Sequence, residues 1–255
     1  IVLVTAVKKV PAIPSLLLAA FVGCVFAVIF QNEEDKGLFL KNRIIKEEQA
    51  FMIKGSGVDL NQYCYTPEPV SGKIKVLLTA RMIVEKGVFV LTNAALKLKV
   101  EYKDKVEFLL CGGLDDNPKA IKEEELKTVC DGEYIQWLGY RTDVLELLKS
   151  CHIVAFPSYY KEGLPKSLIE ATAVGRPIVT TNSIGCKETV IDGYNGYLIP
   201  IKDSDTLAER LKILFEDEGL RQNMGRNSRM LAEKDFSIEN VIQKHLEIYN
   251  QLSKA

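Results

Sequence analysis

From residue 73 to its end this chain alternates short apolar runs with helical patterns, and no other feature restricts its fold so strongly. Strand-like runs fall at 75–80, 106–111, 135–138, 153–156, 178–181 and 197–199. Most are continuous and rich in β-branched residues, as in strands covered on both faces. Helical patterns lie between and after them, at 88–98, 119–130, 143–149, 166–174, 187–191, 206–215, 219–233 and 238–252. This alternation predicts an α/β, Rossmann-like parallel sheet with helices on both faces. Sheets of this kind bind ligands beyond the carboxyl ends of their strands, so the loops after residues 80, 111, 138 and 156 share one functional rim.

Two acids stand on that rim. Glu162 and Glu170 bracket Gly163-Leu164-Pro165-Lys166-Ser167-Leu168-Ile169, with the strand 153–156 ahead of them. The order strand, loop, helix puts Glu162 in the loop, Glu170 in the helix and the helix N-terminus between them. A helix N-terminus offers unpaired N–H groups and partial positive charge to a phosphate. Carboxylates accept strong hydrogen bonds from hydroxyls. The combination suits a phosphorylated, polyhydroxylated ligand such as a nucleotide sugar. Arg81 and Lys86, after the strand 75–80, can neutralise a diphosphate, Arg as a fork and Lys as a point charge; a basic pair also suits a solvated surface. Leu138-Gly139-Tyr140-Arg141 can line a base pocket.

Bulk properties remove other classes. The net charge of −1 gives no basic field for nucleic acid. The six cysteines form no Cys-x-x-Cys pair and read as buried, reduced thiols of a cytosolic protein. His152 and His245 are too few and too far apart for a metal cluster, and His152, opening a strand, reads as structural. Phe51-Met52-Ile53 reads as a short strand, and 66–72, with Pro67 and Pro69, as a linker. The uncharged stretch 16–30 is read as a buried helix followed by a buried strand, with membrane contact as the alternative.

Further blocks join these in order: Gly55-Ser56-Gly57-Val58-Asp59, Phe156-Pro157-Ser158, Ala173-Val174-Gly175-Arg176-Pro177-Ile178-Val179 and Gly193-Tyr194-Asn195-Gly196. Together with the Arg81–Lys86 and Glu162–Glu170 blocks, they resemble the glycosyltransferases of family 4, which have the GT-B fold. The resemblance covers roughly residues 26–255 and implies a retaining transfer of a sugar from a nucleotide donor without a metal or other cofactor. Arg81 and Lys86 match the pair that holds the donor diphosphate. Glu162 matches the acid that contacts the donor sugar. Gly163, Leu164 and Pro165 match the loop beside sugar and phosphate, and the amides of Lys166, Ser167 and Leu168 complete the phosphate site. Glu170 matches the acid on the ribose hydroxyls, and Gly139 and Tyr140 the loop near the base. The expected catalytic residues are therefore Glu162, Arg81 and Lys86. Glu188 is read as structural.

The resemblance also sets an expected domain plan. Residues 1–54 would be a remnant of the N-terminal acceptor domain or an apolar N-terminal segment, too short to supply that domain's sheet. Residues 55–72 would be the interdomain linker, 73–235 the donor domain and 236–255 a C-terminal crossing helix. The missing N-terminal domain becomes an expected partner, the chain alone is expected to be inactive, and part of the last helix's apolar face is expected to be exposed or covered by a neighbour. Phe30-Gln31-Asn32 with the acids after it resembles bacterial transferases that act on lipid-linked oligosaccharides. This implies a UDP-sugar donor ahead of GDP-mannose, a saccharide or lipid-linked acceptor, and polysaccharide biosynthesis at the bacterial cell envelope. The expected location is cytoplasmic, with peripheral contact at the inner face of the plasma membrane as a variant. A GT-B nucleotide-sugar epimerase and a non-catalytic nucleotide-sugar-binding module are the competing readings.

Overall fold

The computed structural model describes residues 19–22 and 25–253. The long alternating region folds around one six-stranded parallel sheet. Its strands are β4 (Ile74–Thr79), β5 (Val106–Cys111), β6 (Ile135–Trp137), β7 (Ile153–Phe156), β8 (Ile178–Thr181) and β9 (Gly196–Ile199), after three strands described below. They lie in the order β6-β5-β4-β7-β8-β9, every neighbouring pair parallel. Alternate side chains serve opposite faces. Val76 and Leu78 join the core under α2 (Val88–Tyr102), α3 (Glu123–Val129) and α6 (Ser204–Glu216). Leu77 and Val154 join the core under α4 (Val144–Ser150) and α5 (Lys166–Val174). The result is the Rossmann-like α/β unit expected of the second half of a GT-B fold.

The segment ahead of this unit departs from expectation. Strands β1 (Ala19–Val22), β2 (Val25–Phe30) and β3 (Ala50–Met52) form a second, three-stranded sheet, built from the two strands read at 26–30 and 51–53 and a third that the sequence did not suggest. The strand suggested at 26–30 is present in β2, with Ala27, Val28, Ile29 and Phe30 buried. Ala19–Val22, expected within a helix, is instead extended and antiparallel to β2, because the β-branched and aromatic run of β2 takes a backbone partner on each side. Residues 16–18, 23 and 24 lie outside the described residues. Among the described residues no helix is long and apolar enough to cross a membrane. Helix α1 (Glu33–Lys41) went unread in the sequence, although its start is well marked. The Asn32 side chain accepts from the Asp35 N–H at 2.8 Å, with three acids in the first turn.

After α7 (Glu218–Leu231) a π turn spans Ala232–Phe236 and leads into α8 (Ile238–Leu252). Val241, Ile248 and Leu252 of α8 pack on Ala27, Ile29 and Ile53 of the small sheet and its exit. Ile242, Leu246 and Tyr249 stay exposed, so both outcomes expected for this apolar face occur on one helix.

The stretch 66–72 is firmly held to the large unit. The buried Arg176 guanidinium donates to the carbonyls of Thr66 and Pro67, and Arg221 pairs with Glu68. His152 bonds through Nε2 to the Pro69 carbonyl at 3.1 Å, while its Nδ1 accepts from the Lys75 N–H at 3.1 Å. The second bond requires a neutral ring, and burial, aided by the nearby Arg221, pushes the imidazole down to about 4. An unfolded chain takes up this proton below the ordinary value of 6.5, and the native ring does so only near 4. Stability is therefore expected to fall as pH drops from 6.5 toward 4, by roughly 3 kcal/mol from this group at about 1.4 kcal/mol per unit. Comparing denaturation midpoints of wild type and His152→Asn across that window isolates the term. Parallel curves would refute it.

Candidate active site

In the strand order, the chain turns from one edge of the sheet to the other between β4 and β7. The crevice beyond their carboxyl ends is where open α/β sheets take ligands. The loop after β4 carries Arg81 and Lys86, and the loop after β7 leads through Glu162 into α5. Backbone contacts fasten these loops together. Gly87 has φ +82, and a Cβ there would lie 2.2 Å from the Pro157 carbonyl oxygen. The N–H groups of Tyr159 and Tyr160 both donate to the Glu85 carbonyl, at 2.9 and 3.1 Å. On the other flank, a Cβ on Gly185 would lie 2.0 Å from the Gly163 carbonyl oxygen, so the loop after β8 presses on the Glu162 loop.

Within this frame Lys86 is only 8% exposed. Its ammonium is bonded to Glu162 Oε1 and sits over the Tyr160 ring, 4.9 Å from the centroid. Ser158 Oγ lies 3.4 Å from the same carboxylate oxygen. Arg81 is more exposed and pairs with Asp115 at 2.8 Å. Each predicted cation therefore already faces a carboxylate, which an incoming phosphate would have to share or displace.

Helix α5 begins at the Pro165 cap. The Leu168 N–H is committed to the Pro165 carbonyl at 3.1 Å, and the Leu168 side chain is buried. The Lys166 and Ser167 N–H groups, ahead of the first helical hydrogen bond, are thus the pair left for a ligand. The Leu164 N–H donates to Gln31 Oε1 at 3.0 Å, and the Lys166 ammonium donates to the Gly57 carbonyl. Of the three amides expected at the phosphate, Leu168's is therefore spent inside the helix.

Glu170 lies one turn further along α5 than Lys166. Tyr63 donates to its Oε1 at 3.1 Å. Burial raises the Glu170 carboxyl above its ordinary value, and Tyr63 and Lys166 oppose that rise. Gly139 accepts a hydrogen bond from the Gly112 N–H at 2.9 Å, which places the β5 and β6 loops side by side. Tyr140 projects from there with 79% of its surface exposed, while Arg141 is occupied by Asp143 at 2.8 Å. Asp115, Ser158, Tyr160, Gln31 and Tyr63 all touch predicted site residues without being assigned a site role from the sequence. Ser158 and Gln31 stand in blocks that carry the resemblance, whereas Asp115 and Tyr63 stand in none.

Comparison with known proteins follows the same lines. The family described as "Glycosyl transferases group 1" matches residues 67–230. An N,N'-diacetylbacillosaminyl-diphospho-undecaprenol alpha-1,3-N-acetylgalactosaminyltransferase of Campylobacter jejuni is 35% identical over 239 residues, 89% of this chain and 60% of that protein. A glycosyltransferase of Rickettsia africae superposes with a TM-score of 0.79 at 23% identity, over 89% of this chain and 64% of that one. Anabaena Alr3699/HepE, crystallised with UDP-glucose, gives a TM-score of 0.74 at 23% identity, over 90% of this chain and 64% of that one. The chain spans about three-fifths of the length of the curated relatives it matches.

Proposed function

The chain belongs to the glycosyl transferases of group 1, and from that premise we propose that it is the donor-binding part of a retaining, family 4 glycosyltransferase. In this reading residues 73–235 bind the nucleotide sugar, residues 55–72 join them to an acceptor domain and residues 236–255 cross back to it. The observation that carries the reading is the Lys86–Glu162 pair at the β4–β7 crevice, with the α5 N-terminus beside it and Glu170 one turn along.

Lys86, Arg81 and the Lys166 and Ser167 amides would hold the diphosphate. As the bond from sugar to phosphate breaks, negative charge grows on the departing nucleotide, and fixed cations and amides stabilise that charge more than they stabilise the donor itself. Glu162 would accept hydrogen bonds from the donor sugar's hydroxyls while holding Lys86 in place. Glu170 would take the ribose, and Gly139 with Tyr140 would flank the base. These parts leave the chemistry independent of a bound metal. Acceptor contacts belong to the rest of the family architecture, so the chain alone binds donor and transfers little.

A UDP-sugar is the favoured donor: the Anabaena protein was crystallised with UDP-glucose. A lipid-linked saccharide is the favoured acceptor, because the Campylobacter relative's name specifies a diphospho-undecaprenol substrate. Both point to envelope polysaccharide synthesis at the cytoplasmic face of the membrane. Titration calorimetry with UDP, UDP-sugars and GDP-mannose tests the assignment. Glu170→Ala should weaken UDP binding about 10-fold to 100-fold, the loss of a charged partner to hydroxyls. An affinity unchanged by this substitution would remove Glu170 from the site.

A further inference from the structure

Glu170 is held from outside the sheet unit, by a residue that precedes β4. We propose that Tyr63 is a positioning residue that clamps one oxygen of Glu170 so that the other meets the ribose hydroxyls. The inference rests on the reading of Glu170 as the ribose acid. The Tyr63 hydroxyl donates to Oε1 at 3.1 Å, which leaves Oε2 and the remaining lone pair of Oε1 as acceptors.

Tyr63 can do this because it is fixed to the helix it serves. Its N–H donates to the Asp59 carbonyl at 2.8 Å. Its own carbonyl accepts from Arg229 Nη1 at 2.8 Å, and the same nitrogen donates to the Ala173 carbonyl of α5 at 2.9 Å. Its ring packs against the clusters that contain Leu168, Ile169 and Ala171 of α5. At the other end of the segment, the Lys166 ammonium holds the Gly57 carbonyl. Residues 57–63 are thus fastened to α5 near both Lys166 and Glu170. A glutamate side chain has rotamer freedom to lose on binding. A carboxylate already held by Tyr63 has lost much of it before the nucleotide arrives, so the hydroxyl strengthens binding without touching the ligand.

The test is calorimetry on the full chain with UDP, 2′-deoxy-UDP and 3′-deoxy-UDP. Tyr63→Phe keeps the ring and removes one hydroxyl, and melting curves verify that the variant is folded. Tyr63→Phe should weaken UDP about fivefold to tenfold, the worth of one hydrogen bond. The loss should shrink to under about twofold for the deoxy analogue that lacks the hydroxyl bound by Glu170. In a Glu170→Ala background, Tyr63→Phe should add nothing, since the two residues act as one unit. An equal loss for all three nucleotides, or a further loss in the Glu170→Ala background, would show that Tyr63 only supports packing. If Glu170→Ala weakens UDP while Tyr63→Phe matches wild type, the clamp fails and the ribose assignment stands. If Glu170→Ala itself binds UDP normally, the ribose assignment fails and takes the clamp with it.

Discussion

Lys86→Ala is expected to weaken UDP binding by about 100-fold to 1,000-fold and to lower the protein's stability as well. Two losses combine. The diphosphate loses a charge-assisted donor, worth about 1.5–3 kcal/mol. Glu162, whose side chain is only 15% exposed, loses its cation and points an uncompensated negative charge at the crevice. Removing one member of a buried pair typically costs 3–5 kcal/mol, shared here between folding and ligand repulsion. The double variant Lys86→Ala/Glu162→Gln separates the two. Its melting temperature should recover toward wild type, because no orphan charge remains, while its UDP affinity stays low. Lys86→Arg should also bind weakly, since a planar fork does not fit a space shaped for an ammonium over the Tyr160 ring. Should Lys86→Ala bind UDP within threefold of wild type, the diphosphate does not lie at this crevice.

The second large effect concerns stability. Arg176 has no exposed surface, and its guanidinium donates to the carbonyls of Leu148, Thr66, Pro67 and Lys149. It ties the approach to β4, the end of α4 and the turn after α5 to one another. Arg176→Met fills the volume but leaves these carbonyls buried and without their donor. Each such group costs about 1–3 kcal/mol, so a total of about 4 kcal/mol is expected after partial relaxation. Urea denaturation should show the midpoint shift, with the slope unchanged if the native fold survives. Nucleotide affinity of the folded variant should stay near wild type, because Arg176 precedes β8 and so lies at the amino ends of the strands, away from the rim loops. A loss below about 1 kcal/mol would mean that these carbonyls find other donors.

The elements that could be read to the residue are those whose signals are local. The strands 153–156 and 178–181 and the helices 166–174 and 238–252 match their expected bounds. Each is a clear apolar or amphipathic run closed by a Gly, a Pro or a cap. Where tertiary contacts compete, the structure departs from the local pattern. Residues 119–122, expected as helix, are not helical: Lys119 lies in a turn, the Val84 N–H donates to its carbonyl, Ile83 bridges Ala120, and α3 starts only at Glu123. At 187–191 a single short turn, Lys187–Thr189, replaces the expected helix. α1 was missed because its first turn is entirely acidic and its apolar residues, Leu38 to Leu40, sit together rather than at helical spacing.

The same division runs through the site. That Lys86 and Glu162 share a rim follows from strand order, and the strands were legible. That the two bond to each other was not, because they are 76 residues apart and each reads in the sequence as a separate ligand-binding group. Tyr63 gives no signal at all, and Gln31 gives one that does not point to the Leu164 N–H it meets. They act through segments ahead of the sheet, and periodicity does not reveal where such segments dock.

The central place of β4 also bears on how the chain reaches this fold. β4 pairs with β5 across a single helical crossover, but its other neighbour, β7, begins only at Ile153. Until that strand arrives, one edge of the apolar β4 stays open, an invitation to pair with another chain. On a ribosome, β4, β5 and β6 would emerge well before β7 and wait with this edge bare. The crevice is thus the last seam of the sheet's centre to close. Conditions that slow its closing, such as dilute denaturant during refolding, should favour aggregation over recovery even where the finished fold is stable.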